Sequence, residues 1–304
     1  MPDVCQIAPP MQVVIYSQVY KEDDRVHVQE LFDLLAAEQF STYVYGPYLE
    51  QIRPHVHFSR PVGIFEGHLD FRIKKFDMLI TLGGDGTILS ALLTVRDYKI
   101  PILGINLGRL GFLARVEKTK MQEALRLLAR GRFETERRDM LYLESNLPVF
   151  GDTPYALNDF TLLKRDTSSM VTIHTYINGA YLNSYWADGI IVATPTGSTG
   201  YSLSCGGPIV FPGSGNFVVT PVAPHNLNVR PIVISDDAVV SFQIEGRADN
   251  FLSTLDSRFE TVTAGYELAV RKNDFGIDLV KLPDITFLDT LRGKLNWGED
   301  RRNH

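Results

Sequence analysis

Several features that are scarce in this sequence exclude whole classes of protein. Only two of its 304 residues are cysteines, Cys5 and Cys205, so neither a disulfide framework nor a cysteine-held metal is expected. No apolar stretch approaches the roughly 20 residues that a membrane-spanning helix needs. The N-terminus also lacks the basic segment followed by an apolar one that marks a secretory signal. We therefore expect a cytoplasmic protein with no membrane partner.

Clustered positive charge is missing as well. The chain has 30 basic and 36 acidic residues, a formal net charge of −6, and no basic run longer than Arg137-Arg138. Nucleic acids and anionic membranes are bound through groups of lysine and arginine, so we expect neither as a partner. What is present, 44% hydrophobic and 22% charged residues, is typical of a globular protein long enough for two domains.

The first third of the chain alternates between apolar runs and amphipathic stretches. Short, β-branched apolar runs are typical of buried strands, and apolar residues at helical spacing indicate helices. Such alternation predicts a parallel sheet with helices on both faces, here a Rossmann-like α/β domain over residues 1–137. The predicted strands cover residues 11–17, 76–82 and 101–106, and the predicted helices cover residues 24–40 and 87–95.

Alternation with a period of two residues replaces helical spacing in the next part of the chain. Asn178-Gly179 between two such runs is a strong signal for a two-residue hairpin. We expect an all-β sandwich domain over residues 138–272. A C-terminal segment, 273–304, contains a strand-like and then a helical piece, and we expect it to return to the first domain. The alternating runs are 156–163, 171–177, 181–185 and 239–244.

One predicted strand ends in three glycines around an aspartate, Gly83-Gly84-Asp85-Gly86, before Thr87 opens a helix. Glycines let a phosphate approach the main chain, and a helix N-terminus directs unpaired N–H groups at it. The loop matches neither the Walker pattern nor G-x-G-x-x-G. It is either a tight turn capped by the aspartate or a phosphate site in which Asp85 accepts a hydroxyl proton during phosphoryl transfer.

A second segment, residues 188–208, begins as a strand and becomes a loop of glycines and hydroxyl groups. Hydroxyl groups can bind ribose and phosphate oxygens without adding charge, and Tyr201 offers a flat face for adenine. A solvent-exposed loop would fit the composition but not the dense ordering of proline, glycine and hydroxyl residues. The hydroxyl residues are Thr194, Thr196, Ser198, Thr199, Ser202 and Ser204.

These motifs together resemble those of the NAD kinase family. The Gly-Gly-Asp-Gly-Thr loop is shared with diacylglycerol-type lipid kinases and phosphofructokinases, whereas Thr-Pro-Thr-Gly-Ser-Thr-Gly-Tyr-Ser-Leu-Ser at 194–204 is more specific to NAD kinases. The resemblance covers residues 11–297. It implies an enzyme that transfers the γ-phosphoryl group of ATP to the 2′-hydroxyl of the adenosine ribose of NAD, giving NADP. Further matching segments are 104–113, 158–159, 224–225 and 230–231.

The resemblance also implies roles for individual residues. Asp85 is the expected catalytic residue, with Gly86 beside the ribose, and Asn158-Asp159 stands where the family has an Asn-Glu pair that binds the adenine and ribose region. The implied NAD-binding residues are Asp85, Gly86, Asn158, Asp159, Ser169, Trp186, Asp188, Thr199, Gly200, Tyr201, Ser202, Leu203 and Ser204. The candidates for the ATP phosphates are Gly83, Gly84, Thr87 and Arg109.

Some of these positions stay ambiguous or depart from the family pattern. Asp188 resembles an aspartate that contacts nicotinamide, often across a subunit interface, but it also fits a strand entry. His225 is either a buried structural histidine or a ligand contact, and Arg109 either faces solvent or binds phosphate. Gly200 replaces the family's usual alanine, and Arg258 replaces a glutamine found in many relatives near NAD.

The expected partners are NAD and ATP, with Mg²⁺ arriving on the triphosphate because no cluster of carboxylates or histidines is suited to a protein-held ion. We also expect a homotetramer or homodimer, since Tyr181, Tyr185 and Trp186 look exposed in an imperfectly alternating hairpin. Two alternatives remain at this point. One is a lipid kinase, and the other is a nucleotide-binding sensor that has lost its chemistry.

Overall fold

The computed structural model describes residues 10–165, 170–245, 250–283 and 285–297. The chain divides into two compact units: the α/β unit comprises Met1–Glu136 and Ile277–His304, and the β unit comprises Arg137–Gly276. Ser169, one of the predicted NAD-binding residues, lies outside the described residues. Within the described ranges, no helix is long and apolar enough to cross a membrane.

Seven α-helices and twenty β-strands are described, besides three short 3-10 turns. The helices are α1 Arg25–Ala37, α2 Gly46–Ile52, α3 Asp70–Ile73, α4 Asp85–Val95, α5 Met121–Ala129, α6 Tyr201–Ser204 and α7 Phe287–Leu295. The strands are β1 Gln12–Tyr16, β2 Ser41–Tyr45, β3 Gly63–Phe65, β4 Met78–Leu82, β5 Ile102–Asn106, β6 Val116–Glu117, β7 Glu134–Arg138, β8 Leu141–Ser145, β9 Tyr155–Ala156, β10 Asp159–Lys164, β11 Val171–Ile177, β12 Ala180–Ala187, β13 Gly189–Ala193, β14 Asn216–Val222, β15 Ile232–Ser235, β16 Val240–Glu245, β17 Phe251–Leu255, β18 Arg258–Val262, β19 Leu268–Lys272 and β20 Ile277–Lys281.

The α/β unit is built on one sheet with the strand order β3-β2-β1-β4-β5-β20-β7, and β6 pairs with β5. The pairs from β3 through β5 to β20 are parallel. All five residues of β4 are buried, because helices cover both faces of such a sheet. The strand order reverses between β1 and β4, and ligands of open α/β sheets bind at this kind of switch point. The Gly83 loop leaves the carboxyl end of β4 there.

The β unit contains two six-stranded antiparallel sheets, β15-β14-β13-β10-β17-β18 and β12-β11-β16-β19-β8-β9. Buried residues of both sheets form a single hydrophobic cluster. Phe160 of β10 and Phe242 of β16 stack within it, with ring centroids 5.6 Å apart. The predicted combination of an α/β domain with a β-sandwich is therefore confirmed.

The predicted hairpin at Asn178-Gly179 joins β11 and β12, and both residues have positive φ, 51° and 79°, as a type I′ turn requires. The expectation that Tyr185 is exposed is wrong, because it is only 3% exposed while Tyr181 is 61% exposed. A bulge in the pairing near Thr175 leaves Leu182 as an extra residue. Side chains alternate between faces along a strand, so the extra residue reverses which face the later ones occupy.

Two other expectations change in detail. The run predicted as one strand over 156–163 is interrupted at Leu157 and Asn158, which separate β9 from β10. The segment after β13 contains a 3-10 turn, Gly197–Thr199, and the short helix α6, although no helical spacing was visible there. Four residues are too few to show a helical period.

Candidate active site

Asp85 is the first residue of α4, and the main chain of another loop surrounds its half-buried carboxylate. Its Oδ2 accepts the N–H of Phe112 at 2.9 Å, and its Oδ1 accepts those of Leu113 and Ala114 at 3.0 and 2.9 Å. A Cβ atom at Gly111 would lie 1.9 Å from Oδ1. Position 111 must therefore be glycine for the carboxylate to stay in place.

The glycines around Asp85 serve different purposes. Gly83 has a φ of +144°, and a Cβ there would lie 2.2 Å from the Thr87 hydroxyl oxygen, so backbone and space both require glycine. Gly84 is the N-cap residue of α4. Neither Gly84 nor Gly86 would bring a Cβ within 4 Å of a neighbouring atom. An anionic group can therefore approach the first N–H groups of α4 through open space.

The loop that carries Arg109 is shaped by Asn106, a buried residue at the end of β5. The Asn106 side chain accepts the N–H of Gly108 at 2.8 Å and donates to the carbonyl of Arg109 at 2.5 Å. Arg109 itself is exposed. Its phosphate role stays a prediction.

In the β unit, Asn158-Asp159 lies where the chain enters β10. The N–H groups of Leu157, Asn158 and Asp159 all donate to the carboxylate of Asp256, at 3.0, 2.7 and 3.3 Å. Asp159 is only 7% exposed. Its burial, and then the nearby charge of Asp256, raises the pKa of its carboxyl group to about 7. A carboxyl group that titrates near neutral pH is a candidate functional group.

Arg258 holds the segment that leads to this pair. Its guanidinium donates to the carbonyl and hydroxyl oxygens of Thr153 at 2.7 and 2.9 Å and to the carbonyl of Tyr155 at 2.5 Å. Burial lowers the pKa of Arg258, and Asp256 opposes that change. Arg258, the residue expected to depart from the family pattern, thus fixes the main chain of its own protein.

Several hydroxyl groups of residues 194–204 bond within the protein. The Thr194 hydroxyl donates to the carbonyl of Leu157 at 2.6 Å, and the Ser202 hydroxyl lies 2.8 Å from that of Thr220. The expectation that all six hydroxyls offer donors to a ligand is wrong for Thr194, Ser198 and Ser202, which are fully buried and bonded within the protein. The buried hydroxyl residues of this loop are Thr194, Thr196, Ser198 and Ser202.

Two glycines set the approach of this loop to the Asn158-Asp159 pair. A Cβ at Gly197 would lie 2.0 Å from the carbonyl oxygen of Asn158, so the two main chains touch directly. A Cβ at Gly200 would lie 3.2 Å from the carbonyl oxygen of Gly197 and 3.7 Å from Oδ2 of Asp159. The glycine at 200 therefore leaves space beside the Asp159 carboxyl group that a Cβ atom would partly fill.

Tyr201 is 41% exposed, which leaves surface on its ring for stacking. Burial and the hydrogen-bonded Cys205 thiol raise the pKa of its phenol, and the charges of Asp188 and Asp159 add to the rise. The other predicted positions in this loop differ in exposure. Thr199, Gly200 and Leu203 are half-buried, and Ser204 is exposed.

Asp188, the residue between β12 and β13, forms an ion pair with Lys164 of β10, with 2.5 Å between Oδ1 and Nζ. Trp186 is 50% exposed, and the ring of His225 lies against it at 4.2 Å between centroids. His225 is itself exposed. The interpretation of His225 as a buried structural histidine is therefore wrong.

The described part of the chain contains no group of three or more His, Cys, Asp or Glu residues arranged to hold a metal ion.

Known proteins match both units. Residues 51–133 match the ATP-NAD kinase N-terminal domain, and residues 157–282 match the ATP-NAD kinase C-terminal domain. The NAD kinase of Cytophaga hutchinsonii is 44% identical over 294 residues, 96% of this chain and 100% of that protein. The NAD kinase of Flavobacterium psychrophilum is 43% identical over 295 residues, with the same coverage.

Two solved structures have a similar fold. The yeast NADH kinase complexed with NADH superimposes with a TM-score of 0.84 at 23% identity, over 97% of this chain and 89% of that one. An NAD kinase from Archaeoglobus fulgidus in complex with ATP has a TM-score of 0.73 at 25% identity, over 94% of this chain and 99% of that one. These two structures show the same fold. The two matching domains and the relatives that align over nearly the full length show that the chain belongs to the NAD kinase family.

Proposed function

We propose that this protein transfers the γ-phosphoryl group of ATP to the 2′-hydroxyl of the adenosine ribose of NAD, with Asp85 as the general base. The observation that carries the proposal is the setting of Asp85, beside open space over Gly84 and Gly86, in a chain whose two domains both match NAD kinases. The scarcity of cysteine is in keeping with a cytoplasmic enzyme.

The hydrogen bonds of Asp85 leave room for one more donor. An ionised carboxylate has about four acceptor positions, and the N–H groups of Phe112, Leu113 and Ala114 use three of them. The ribose hydroxyl takes the remaining position and passes its proton to the carboxylate as its oxygen attacks the γ-phosphorus. The bond from that phosphorus to the bridging oxygen of ATP breaks, and ADP leaves.

Charge on the phosphates is balanced in two ways. Main-chain N–H groups at the start of α4, around Gly84 and Gly86, face incoming phosphate oxygens, and the Thr87 side chain lies beside them. Arg109 adds positive charge from the exposed loop after β5. Mg²⁺ enters as the Mg·ATP complex, because the triphosphate oxygens and water are the ligands this ion prefers.

The β unit holds the dinucleotide. Asn158 and Asp159 bind the adenine and ribose region, and the exposed ring of Tyr201 stacks on the adenine. Thr199, Gly200, Leu203 and Ser204 surround it, while Ser202 supports the loop from inside. Asp188 and Trp186 contact the nicotinamide end of NAD. When NAD binds, the Asp188 carboxylate either leaves its ion pair with Lys164 or binds Lys164 and the ligand together.

The active form is a homodimer or homotetramer in which Asp188 serves the site of a neighbouring copy. Exposed Tyr181 and Trp186 on β12 supply apolar surface for such an interface. Mixing an inactive Asp85→Asn chain with an inactive Asp188→Ala chain should then restore partial activity after subunit exchange. Full activity from a monomer in light scattering would contradict the assembly.

The test of the activity itself is incubation with NAD, ATP and Mg²⁺, with NADP read out by an NADP-specific dehydrogenase. Phosphorus NMR should show the new monoester at the adenosine 2′ position, and EDTA should abolish turnover while the thermal unfolding temperature stays unchanged. Phosphorylation of diacylglycerol in place of NAD, or binding of NAD without turnover, would replace this function with a lipid kinase or a sensor.

A further inference from the structure

Asp256 and Arg258, at the connection between β17 and β18, form hydrogen bonds with the main chain of residues 153–159. Asp256, the first turn residue, has a φ of +55°, and its carboxylate accepts the N–H groups of residues 157–159. Arg258, two residues later, holds the carbonyls of Thr153 and Tyr155. Asp256 in the turn thus accepts three N–H groups of this segment, and Arg258 at the start of β18 donates to two of its carbonyl groups.

Without Asp256, the main chain at 157–159 would have no such acceptor. Leu157 and Asn158 form the break between β9 and β10, so their N–H groups point to Asp256 instead of a neighbouring strand. Hydrogen bonds from N–H to an ionised acceptor are shorter and stronger than neutral ones. The carbonyl of Asn158 is fixed in turn by the N–H of Thr194 at 2.9 Å.

The Asp159 carboxyl group has a different environment. Among the described residues, it takes part in no side-chain hydrogen bond or ion pair. Its titratable neighbours are Asp256 from the β17–β18 turn and the Tyr201 phenol from α6, and Arg258 moderates the charge of Asp256. The glycine at 200 leaves space beside its Oδ2, so this carboxyl group is open to a hydrogen bond from a ligand.

We propose that Asp256 is a positioning residue for NAD: its carboxylate holds Asn158 and Asp159 in their binding geometry through three main-chain N–H groups and lies beside the Asp159 carboxyl group. This inference rests on the proposed function, since it takes NAD as the ligand of the pair. The Asp159 carboxylate accepts a hydrogen bond from the adenine amine or a ribose hydroxyl, and only the ionised form offers both oxygens as acceptors.

The consequence is a link between NAD affinity and pH. Burial, and then the charge of Asp256, raises the pKa of Asp159 to about 7, so NAD affinity should rise as the pH rises through neutrality. Burial raises the pKa of Asp256 as well, while its three main-chain hydrogen bonds and Arg258 oppose that rise. Replacing Asp256 by asparagine removes the neighbouring charge. The midpoint of the pH dependence should then move to lower pH, which a purely structural role of Asp256 would not cause.

The experiment measures the dissociation constant of NAD by calorimetry from pH 5.5 to 8.5 for the wild type, Asp256→Asn and the control Asp237→Asn, an exposed aspartate of the β15–β16 turn. Loss of one hydrogen bond to a charged group corresponds to about 10- to 150-fold weaker binding, and we expect this at pH 8 for Asp256→Asn, with a lower midpoint. The control should match the wild type.

An Asp256→Asn protein with wild-type affinity and midpoint overturns the proposal. If that variant does not fold, Asp159→Asn keeps the test decisive, because its NAD affinity must no longer change with pH near neutrality. A pH dependence retained in Asp159→Asn would also overturn the proposal. A folded wild type that neither binds NAD nor forms NADP would refute the proposed function instead, so the two failures are distinguishable.

Discussion

Two aspartates in different units of this protein are held in the same way. Asp85 accepts the N–H groups of residues 112–114, and Asp256 accepts those of residues 157–159. In both cases, one carboxylate accepts hydrogen bonds from three consecutive main-chain N–H groups. The arrangement fixes an irregular loop by charge-assisted hydrogen bonds.

What differs is the space around each carboxylate. Asp85 stands at the start of a helix, where neither Gly84 nor Gly86 has a neighbouring atom within 4 Å of its Cβ position. Asp256 lies in a tight turn beside Arg258 and the buried Asp159. A ring of main-chain donors is therefore not by itself a sign of catalysis. Access for a substrate decides whether the carboxylate reacts or only positions its neighbours.

The variant Asp85→Asn tests whether Asp85 reacts while Asp256 only positions its neighbours, and we expect it to have the largest effect on turnover. Asparagine keeps the size of the side chain but cannot accept the hydroxyl proton, and loss of a general base typically lowers the rate about 10²- to 10⁴-fold. Steady-state kinetics should show kcat falling in this range with little change in NAD affinity. Asp97→Asn, at an exposed aspartate just after α4, is the matched control. Near-native turnover of Asp85→Asn would remove Asp85 from the mechanism.

A finer test keeps Asp85 and disturbs only its surroundings. Gly111→Ala places a Cβ 1.9 Å from the Asp85 Oδ1 position, so the carboxylate or the loop must shift. A displacement of about 1 Å can cost about 10² in rate, and we expect a loss of this order in kcat for a protein that still binds NAD. Gly67→Ala, where a Cβ meets nothing within 4 Å, should behave as wild type. Equal turnover of both variants would show that the loop contact does not position Asp85.

The same contrast explains what the sequence could predict. The Gly83–Thr87 loop is predictable because its strand, glycines and helix are consecutive in the chain, and the hairpin at Asn178-Gly179 is equally local. The contacts of Asp256 span 97 to 99 positions, so no local pattern reports them. The exposure of Tyr185 was mispredicted for a related reason, since the bulge that reverses its face depends on pairing with β11.

The smallest expected effect is on the unfolding free energy, through the buried Asp159 and the neighbouring charge of Asp256. Burial, and next the charge of Asp256, raises the pKa of Asp159 from its ordinary 3.8 to about 7 in the folded protein. Between these two values the folded state keeps a proton that the unfolded state has lost. The contribution of Asp159 to stability is therefore highest at low pH, falls as the pH rises toward 7, and stays low above it.

Asp159→Asn cannot ionise, so its advantage in unfolding free energy over the wild type should grow with pH. From pH 5 to pH 8 the pKa of about 7 sets an upper limit of about 2–3 kcal/mol on that growth. Urea unfolding at the two pH values measures it, with Asp237→Asn, at an exposed position, as the control that should show no growth. The same variant should bind NAD more weakly at pH 8, because the carboxylate that destabilises the empty protein is the one that accepts the ligand's hydrogen bond. If the difference in unfolding free energy is the same at both pH values, Asp159 is not protonated in the folded protein near neutrality, and the charge of Asp256 does not act on it.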